Sequence, residues 1–169
     1  MPQKKLDRNR PPMTVTHFTL FGQIVCAYAL AETLLKQALA VALETDPRVV
    51  FALTDRVASI SLINKAKALC AHILEEKERD SLIELAARLE AAGLLRNHIA
   101  HSQWAAGTRE GSIRPSGIQV RSRGLDAKGF DDKEPDYTLS ELNDAANEIY
   151  QLGSDIIAYL QARGFKPST

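Results

Sequence analysis

Apolar residues recur at helical spacing in four long segments of the chain. Within each segment, leucine, isoleucine, valine and alanine return every three or four residues, which places them on one face of an α-helix. The pattern therefore predicts four amphipathic helices with faces for a shared core. They run from about Thr16 to Leu43, from about Asp55 to Glu76, from near Arg79 to Gln103 or Trp104, and from Thr138 to about Arg163.

Local signals mark where these helices begin and end. Thr45-Asp46-Pro47 breaks the first pattern, because proline disfavours helical geometry in the residue before it, and a short turn is expected at 49–53. Thr54 is a candidate N-cap for the second helix. Thr138-Leu139-Ser140-Glu141 has the residues of a capping box for the last helix, and Gly164 ends that helix.

The segment 105–137 has a different character from the rest of the chain. Five glycines and two prolines crowd it, and no helical period survives there. Ile113 and the alternating Ile118-Gln119-Val120 flank Pro115-Ser116-Gly117, so a short hairpin around that tripeptide is the most structure expected. A segment this long without helices is often functional or disordered.

The fold class predicted is all-α: a four-helix antiparallel up-and-down bundle, with a long loop or short hairpin insertion before the last helix. A chain of 169 residues suits one domain. We divide it into a disordered basic tail (1–15), a helical domain (16–164, with 105–137 as the insertion) and a C-terminal tail (165–169). The side chains expected in the core are Leu34, Ile60, Leu82, Leu85, Leu89, Ile149 and Ile156.

Composition and charge narrow the functional classes. Lys+Arg and Asp+Glu both total 21, so any contact with nucleic acid must come from a local patch. Cys26 and Cys70 fall inside helical patterns and are expected to be small buried hydrophobes in a reducing compartment. No secretion signal is recognised at the N-terminus. The long apolar stretch 18–43 is interrupted by polar residues, so we expect a cytoplasmic protein without a membrane span.

Chemistry concentrates at the end of the third helix, in Leu94-Leu95-Arg96-Asn97-His98-Ile99-Ala100-His101. Counted at 100° per residue, Arg96 shares the core stripe, where an arginine is costly unless it is paired or the site is wet. That phase favours a pocket or a subunit seam. Asn97 and His101 are four residues apart, so the amide can hydrogen-bond the imidazole and orient it. A weaker apolar line on the side of His101 is a plausible partner-facing surface, formed by Ile83, Ala87 and Leu94.

The string Arg-Asn-x-x-Ala-His, late in an apolar helix, resembles the signature of the HEPN superfamily. In the catalytic branches of that superfamily, Arg-x(4–6)-His is a metal-independent RNase motif, and a polar residue, often Asn, follows the arginine. The resemblance covers roughly 16–164 in helical pattern but is specific only in the motif. It implies an endoribonuclease that cleaves RNA by 2′-hydroxyl attack and leaves 2′,3′-cyclic phosphate, through a composite site at a homodimer interface.

The resemblance assigns roles to particular residues. His101 would act as acid or base and Arg96 would stabilise the phosphorane, while Asn97 would position the histidine or the phosphate. No cofactor is implied, and the sequence has no recognisable metal-ligand motif. Residues near the motif that could contact RNA are His98 and the loop arginines Arg109, Arg114, Arg121 and Arg123. Partners implied are RNA, a second copy of the chain, and an antitoxin or regulatory protein, since toxin–antitoxin and antiviral defence systems use the superfamily.

Two other functional classes stay open. Many HEPN-like domains are non-catalytic binding or dimerisation modules, and this chain could be one of them. A plain helical adaptor is the third class, in which Arg96 would form a buried ion pair with an acid such as Glu32. Arg96 and His98 could also simply complement the helix macrodipole, and the basic loop could be only a solvated one.

Overall fold

The computed structural model describes residues 13–55, 59–73, 76–121, 124–128 and 135–165. Those residues are mostly helical, as the apolar periodicity predicted. The elements in chain order are α1 (Val15–Ala42), α2 (Pro47–Thr54), α3 (Ser59–Ile73), α4 (Glu76–His101), β1 (Gln103–Ala106), β2 (Ile113–Arg121), β3 (Gly124–Lys128) and α5 (Leu139–Gln161). Helix α1 packs against both α4 and α5, and α3 packs against α4. Of the expected tails, 1–15 and 165–169, residues 1–12 and 166–169 lie outside the described residues. Helix α1 begins at Val15, the last residue of the expected N-terminal tail.

Helix α2 corrects the expectation of a short turn at 49–53. Asp46 lies at its N-cap and accepts a hydrogen bond from the Arg48 backbone at 2.8 Å, and Pro47 occupies the first turn. Proline at this position is pre-organised for a helix, because its missing N–H would have no partner there. Thr54 is the last residue of α2, and its hydroxyl donates back to the Val50 carbonyl at 2.7 Å. Its predicted role as the N-cap of the next helix is therefore wrong.

The insertion is an antiparallel three-stranded sheet in the order β1-β2-β3. Trp104 pairs with Pro115, and Gly117 pairs with Lys128. The expected turn at Pro115-Ser116-Gly117 is therefore wrong, because the tripeptide lies inside β2. Proline is uncommon within a strand, and for that reason the sequence predicted a turn at this tripeptide. Pairing with β2 also explains why α4 ends at His101 and not at Gln103 or Trp104.

Asp136 joins this sheet to the start of α5. Its Oδ2 atom accepts hydrogen bonds from the Thr108 backbone and hydroxyl, from the Arg109 backbone at 3.0 Å and from the Ser112 hydroxyl at 3.1 Å. Desolvation alone would raise the pKa of Asp136, but these hydrogen bonds outweigh it and hold the pKa at about 2. The charged carboxylate therefore stabilises the folded state.

We expect Asp136→Ala to lower the free energy of unfolding by roughly 1–3 kcal/mol at neutral pH, because it leaves several donors without an acceptor. Since the folded pKa is below the ordinary value, the contribution of the carboxylate is complete above about pH 4 and is lost as the pH falls toward about 2. Urea denaturation of wild type and variant at pH 7 and near pH 2 should show the gap closing. Asp144→Ala, at an exposed position of α5, is the control. An unchanged gap at both pH values would contradict this role for Asp136.

The predicted capping box of α5 is confirmed. The Thr138 hydroxyl accepts from the Glu141 backbone at 3.2 Å, and the Glu141 carboxylate accepts from the Thr138 backbone at 2.7 Å. The same carboxylate accepts hydrogen bonds from both terminal nitrogens of Arg109, at 2.8 and 2.7 Å. Helix α5 and the loop after β1 are therefore tied together by one acid.

The apolar periodicity located most of the core correctly. Five of the expected core side chains are buried: Leu82, Leu85, Leu89, Ile149 and Ile156. Leu34 is partly buried against them, and the side chain of Ile60 lies outside the described part. Cys26 corrects the expectation of a buried thiol: it is exposed, since it lies on the solvent face of α1. The side chain of Cys70 is not among those described.

Candidate functional site

Arg96 lies in the seam between α4 and α1. Its guanidinium carbon is 5.7 Å from the centre of the Tyr28 ring, within cation–π distance. The helices approach closely here because Gly93, one turn earlier, has no side chain, and a Cβ at that position would lie 3.0 Å from the Tyr28 hydroxyl. The buried Tyr28 ring thus forms a floor beneath the arginine. The core phase of Arg96 read from the sequence agrees with this half-buried position.

The guanidinium of Arg96 has hydrogen-bond donors that no acceptor among the described residues uses. Its Nη1 atom donates to the Asn97 amide oxygen at 3.0 Å, and its Nε atom is buried without a hydrogen-bond partner among the described residues. No salt bridge involving Arg96 is formed in that part of the chain, and Glu32 pairs with Lys36 at 3.2 Å. The ion pair that the adaptor reading required is therefore not observed. A desolvated arginine with spare donors is suited to bind a phosphate or carboxylate.

His101 is exposed at the last residue of α4. The hydrogen bond expected from Asn97 to His101 is not formed among the described residues; the Asn97 amide oxygen accepts from Arg96 instead. Asn97 therefore orients the guanidinium rather than the imidazole. Since α4 continues through both residues, Arg96 and His101 stay about 140° apart around the helix. One chain presents them on different faces.

The residues proposed to contact RNA differ in the partners that the structure gives them. Arg109 is engaged by Glu141 and by the Asp136 carbonyl, so it holds the sheet to α5. Arg114 is half-buried in β2, with Nε and Nη1 unpartnered among the described residues. His98 is half-buried and engaged within the chain. Arg123 and the side chain of Arg121 lie outside the described part.

An aromatic cluster beside the motif was missed by sequence reasoning. Trp104 lies 4.7 Å from the ring centre of Phe21 and 5.9 Å from that of Tyr137. It connects β1 to α1 and to the residue before the capping box of α5. The sequence showed only that three aromatic residues occur in three separate segments. Nothing in the periodicity showed that they meet.

His17 is the buried histidine of α1. Its Nδ1 atom accepts from the Thr14 backbone at 3.1 Å and lies 2.9 Å from the Thr14 hydroxyl, at the start of the helix. Burial lowers the pKa of His17. Its contacts are those of a helix terminus, which agrees with a structural role.

The arrangement on α4 combines an exposed imidazole, which can carry a proton, with an arginine that has unused donors in a protected seam. Both are the side-chain types that metal-free phosphodiester chemistry uses. Among the described residues, no group of three or more histidine, cysteine, aspartate or glutamate side chains is placed to hold a metal ion. Comparison of the chain with models of protein families, with curated proteins and with solved structures finds no match.

Proposed function

We propose that the protein is a metal-independent endoribonuclease of HEPN type, which acts through a composite site at a homodimer interface. The observation that carries the proposal is Arg96. Its guanidinium is half-buried at the α1–α4 seam, lacks a carboxylate partner among the described residues, and has a buried Nε without an acceptor. Buried donors are usually hydrogen-bonded, so a guanidinium with an open donor is suited to an anionic ligand.

The scaffold that we propose is a helical bundle of that superfamily, built from the four long helices, with α2 and the small sheet added between them. Two pairs of contacts indicate that α1 and α4 run antiparallel, whereas the first and third long helices of an up-and-down bundle run in the same direction. The up-and-down order predicted from the sequence is therefore wrong for this pair. Tyr28 lies against Gly93 and Arg96, while Phe21, earlier in α1, lies against Trp104, later in the chain. The motif end of α4 therefore adjoins the first half of α1.

The proposed reaction needs no added reagent. A histidine removes the proton from a ribose 2′-hydroxyl, whose oxygen attacks the adjacent phosphorus. The bond from phosphorus to the 5′-oxygen breaks, and that oxygen takes a proton from a protonated histidine. The products are a 2′,3′-cyclic phosphate and a 5′-hydroxyl.

Each residue of the motif has a part in this proposal. Arg96 donates to the equatorial oxygens of the phosphorane, and Asn97 holds the guanidinium in position through the 3.0 Å bond. His101 transfers protons. Because Arg96 and His101 point about 140° apart on one helix, the His101 of a second copy supplies the facing imidazole.

The biological setting that we propose is a cytoplasmic toxin or antiviral-defence RNase. The partners are RNA, a second copy and a restraining antitoxin or regulatory protein. This part of the proposal rests on the resemblance alone.

The second candidate is a non-catalytic HEPN-like binding or dimerisation module. Two observations favour it: Asn97 pairs with Arg96 and not with His101, and Arg109 is committed to Glu141. Such a module would bind RNA or a partner without cleaving it.

The test is cleavage of RNA in excess EDTA. We expect purified protein to convert single-stranded RNA into fragments that end in 2′,3′-cyclic phosphate. Their 3′ ends should resist ligation until mild acid opens the cyclic phosphate and a phosphatase removes the resulting monoester. A DNA strand of the same sequence should stay intact, because it lacks the 2′-hydroxyl. Loss of activity in EDTA would contradict the metal-free mechanism. Binding of RNA without cleavage would favour the module.

A further inference from the structure

The solvent face of α1 carries no charge over about five turns. Helix α1 contains only two charged residues, Glu32 and Lys36, and these pair with each other. Three large apolar side chains are exposed in this helix: Val15 at 82%, Phe18 at 62% and Leu30 at 53%. A surface helix normally places charged or polar residues toward water. We call this surface the uncharged α1 face. Its exposed residues, with the polar Thr16 and Gln23 at its edge, are Val15, Thr16, Phe18, Thr19, Gly22, Gln23, Cys26, Ala29, Leu30 and Thr33.

Gly22, in the middle of that face, has no explanation within one chain. Glycine inside a helix costs about 1 kcal/mol relative to alanine. The other two helical glycines of the described part have packing partners, since a Cβ on Gly93 would meet Tyr28 and one on Gly153 would meet Leu34. A Cβ on Gly22 would have nothing within 4 Å. A glycine on an exposed apolar face is what close approach of another helix requires.

We propose that the uncharged α1 face docks onto the same face of a second copy, with the two α1 helices antiparallel around a two-fold axis beside Gly22 and Cys26. A two-fold contact is self-complementary, so an uncharged face meets an uncharged face without like-charge repulsion. With the axis midway between positions 22 and 26, Gly22 of each copy lies opposite Cys26 of the other, and Phe18 lies opposite Leu30.

This docking has a consequence for the motif. A two-fold axis that makes the α1 helices antiparallel is perpendicular to them and leaves both α4 helices on the same side of the pair. Helix α1 contacts the motif end through Phe21 and Tyr28, and the proposed axis passes between these two levels. The two motifs would therefore lie at the same level and on the same side of the paired α1 helices. The inference names the dimer surface of the composite site, and only this catalytic consequence rests on the proposed function.

The size of the face predicts the strength of the contact. From Val15 to Thr33, α1 rises about 27 Å, and a helix with its side chains is about 10 Å wide. That footprint is well below the roughly 800 Å² that each partner buries in an interface of standard size. The contact through α1 is therefore a small one. A dimer that dissociates at low concentration is expected.

A membrane is the other surface that an apolar helix could meet. Helix α1 is long and apolar enough to span one by length and composition, with a mean hydropathy of 1.5 over its best window, a criterion that core helices of soluble proteins also meet. An interfacial helix, however, uses large apolar side chains with lysine or arginine along its polar edge. Before Lys36, α1 has neither lysine nor arginine, and its exposed face is rich in small residues. The face fits a helix better than it fits lipid.

Gly22→Arg tests the proposal, because the side chain has open space in one chain but meets its own copy across the axis. We expect wild type to form a dimer by sedimentation velocity at protein concentrations up to about 100 µM, and Gly22→Arg to raise the dissociation constant at least about 100-fold. Asn147→Arg, at an exposed position of α5, adds the same charge elsewhere and should leave the dimer intact. Circular dichroism should show Gly22→Arg as helical as wild type.

Cys26 provides an independent readout in a Cys70→Ser background, which leaves one thiol in the chain. We expect its reaction with a maleimide to slow as the protein concentration rises through the dimer range, and Gly22→Arg to abolish that protection. A reaction rate that does not depend on concentration would overturn the proposal. So would a Gly22→Arg protein that still dimerises like wild type.

The two proposals fail separately. A wild-type dimer of this kind that leaves RNA intact would support the α1 contact and contradict the nuclease. A dimer that cleaves RNA and that Gly22→Arg leaves intact would support the nuclease and contradict the α1 contact. A monomer that floats with vesicles of phosphatidylcholine and phosphatidylglycerol, while Gly22→Arg does not, would replace the second copy with a membrane surface.

Discussion

Replacing His101 with alanine is expected to reduce RNA cleavage by about 10²–10⁴-fold, the range typical for loss of a general acid or base. The fold should survive, because His101 is exposed at the end of α4 and its loss opens no cavity. Initial rates on a labelled single-stranded RNA in EDTA, with circular dichroism on the same samples, separate chemistry from folding. His72→Ala, an exposed histidine of α3, is the matched control and should cleave at the wild-type rate.

Arg96→Lys should lose activity as well, for a different reason. Lysine keeps the charge and much of the aliphatic stem beside Tyr28, but it cannot present the planar fork that a phosphorane requires. The 3.0 Å hydrogen bond to Asn97 would lose its guanidinium donor.

His98→Ala should retain substantial activity once its concentration is corrected for folded protein. Normal cleavage by His101→Ala would eliminate the mechanism and leave the chain as a HEPN-like binding module.

Leu89→Ala is the stability change with the largest expected effect. Leu89 lies on the buried face of α4 at 0% exposure, and a fully buried leucine replaced by alanine costs about 2–5 kcal/mol in transfer and cavity terms. The free energy of unfolding of an ordinary domain is about 5–15 kcal/mol. The variant should therefore unfold at a measurably lower urea concentration. Its cleavage activity should fall only in proportion to the unfolded fraction.

Leu94→Ala is the matched control on the same helix. Leu94 is 68% exposed, so its truncation should change the free energy of unfolding by less than about 0.5 kcal/mol. Equal effects from Leu89→Ala and Leu94→Ala would contradict the buried face of α4. A Leu94 effect that grows with protein concentration would place the dimer contact on the Ala87–Leu94 side of α4 and contradict docking through α1.

The sequence by itself determined the long helices and the side chains that face their core. Leu82, Leu85 and Leu89 follow the 3.6-residue period, and that period depends only on neighbours within one helix. The capping box at Thr138 and Glu141 was also readable, because both of its hydrogen bonds span three residues. The phase of Arg96 on α4 followed in the same way. Local periodicity and local capping are encoded in short stretches of sequence.

Only the tertiary structure decided which side chains meet. Pro115 read as a turn until its pairing with Trp104 placed it in a strand. The spacing of Asn97 and His101 predicted a hydrogen bond between them. In the structure, α1 packs closely against α4 at Gly93, and the Asn97 amide oxygen accepts a hydrogen bond from Arg96.

Arg109 and Cys26 show the same division. The arginine looked like a free cation on a basic loop, yet Glu141, 32 residues later, binds it. The cysteine lies in an apolar segment, yet its side of α1 is left uncovered by α4 and α5. Contacts between residues distant in sequence depend on how whole helices pack, and helical periodicity does not carry that information. The sequence therefore determined the helices and the phase of the motif, while packing decided the partners of Arg96 and which face of α1 remained open.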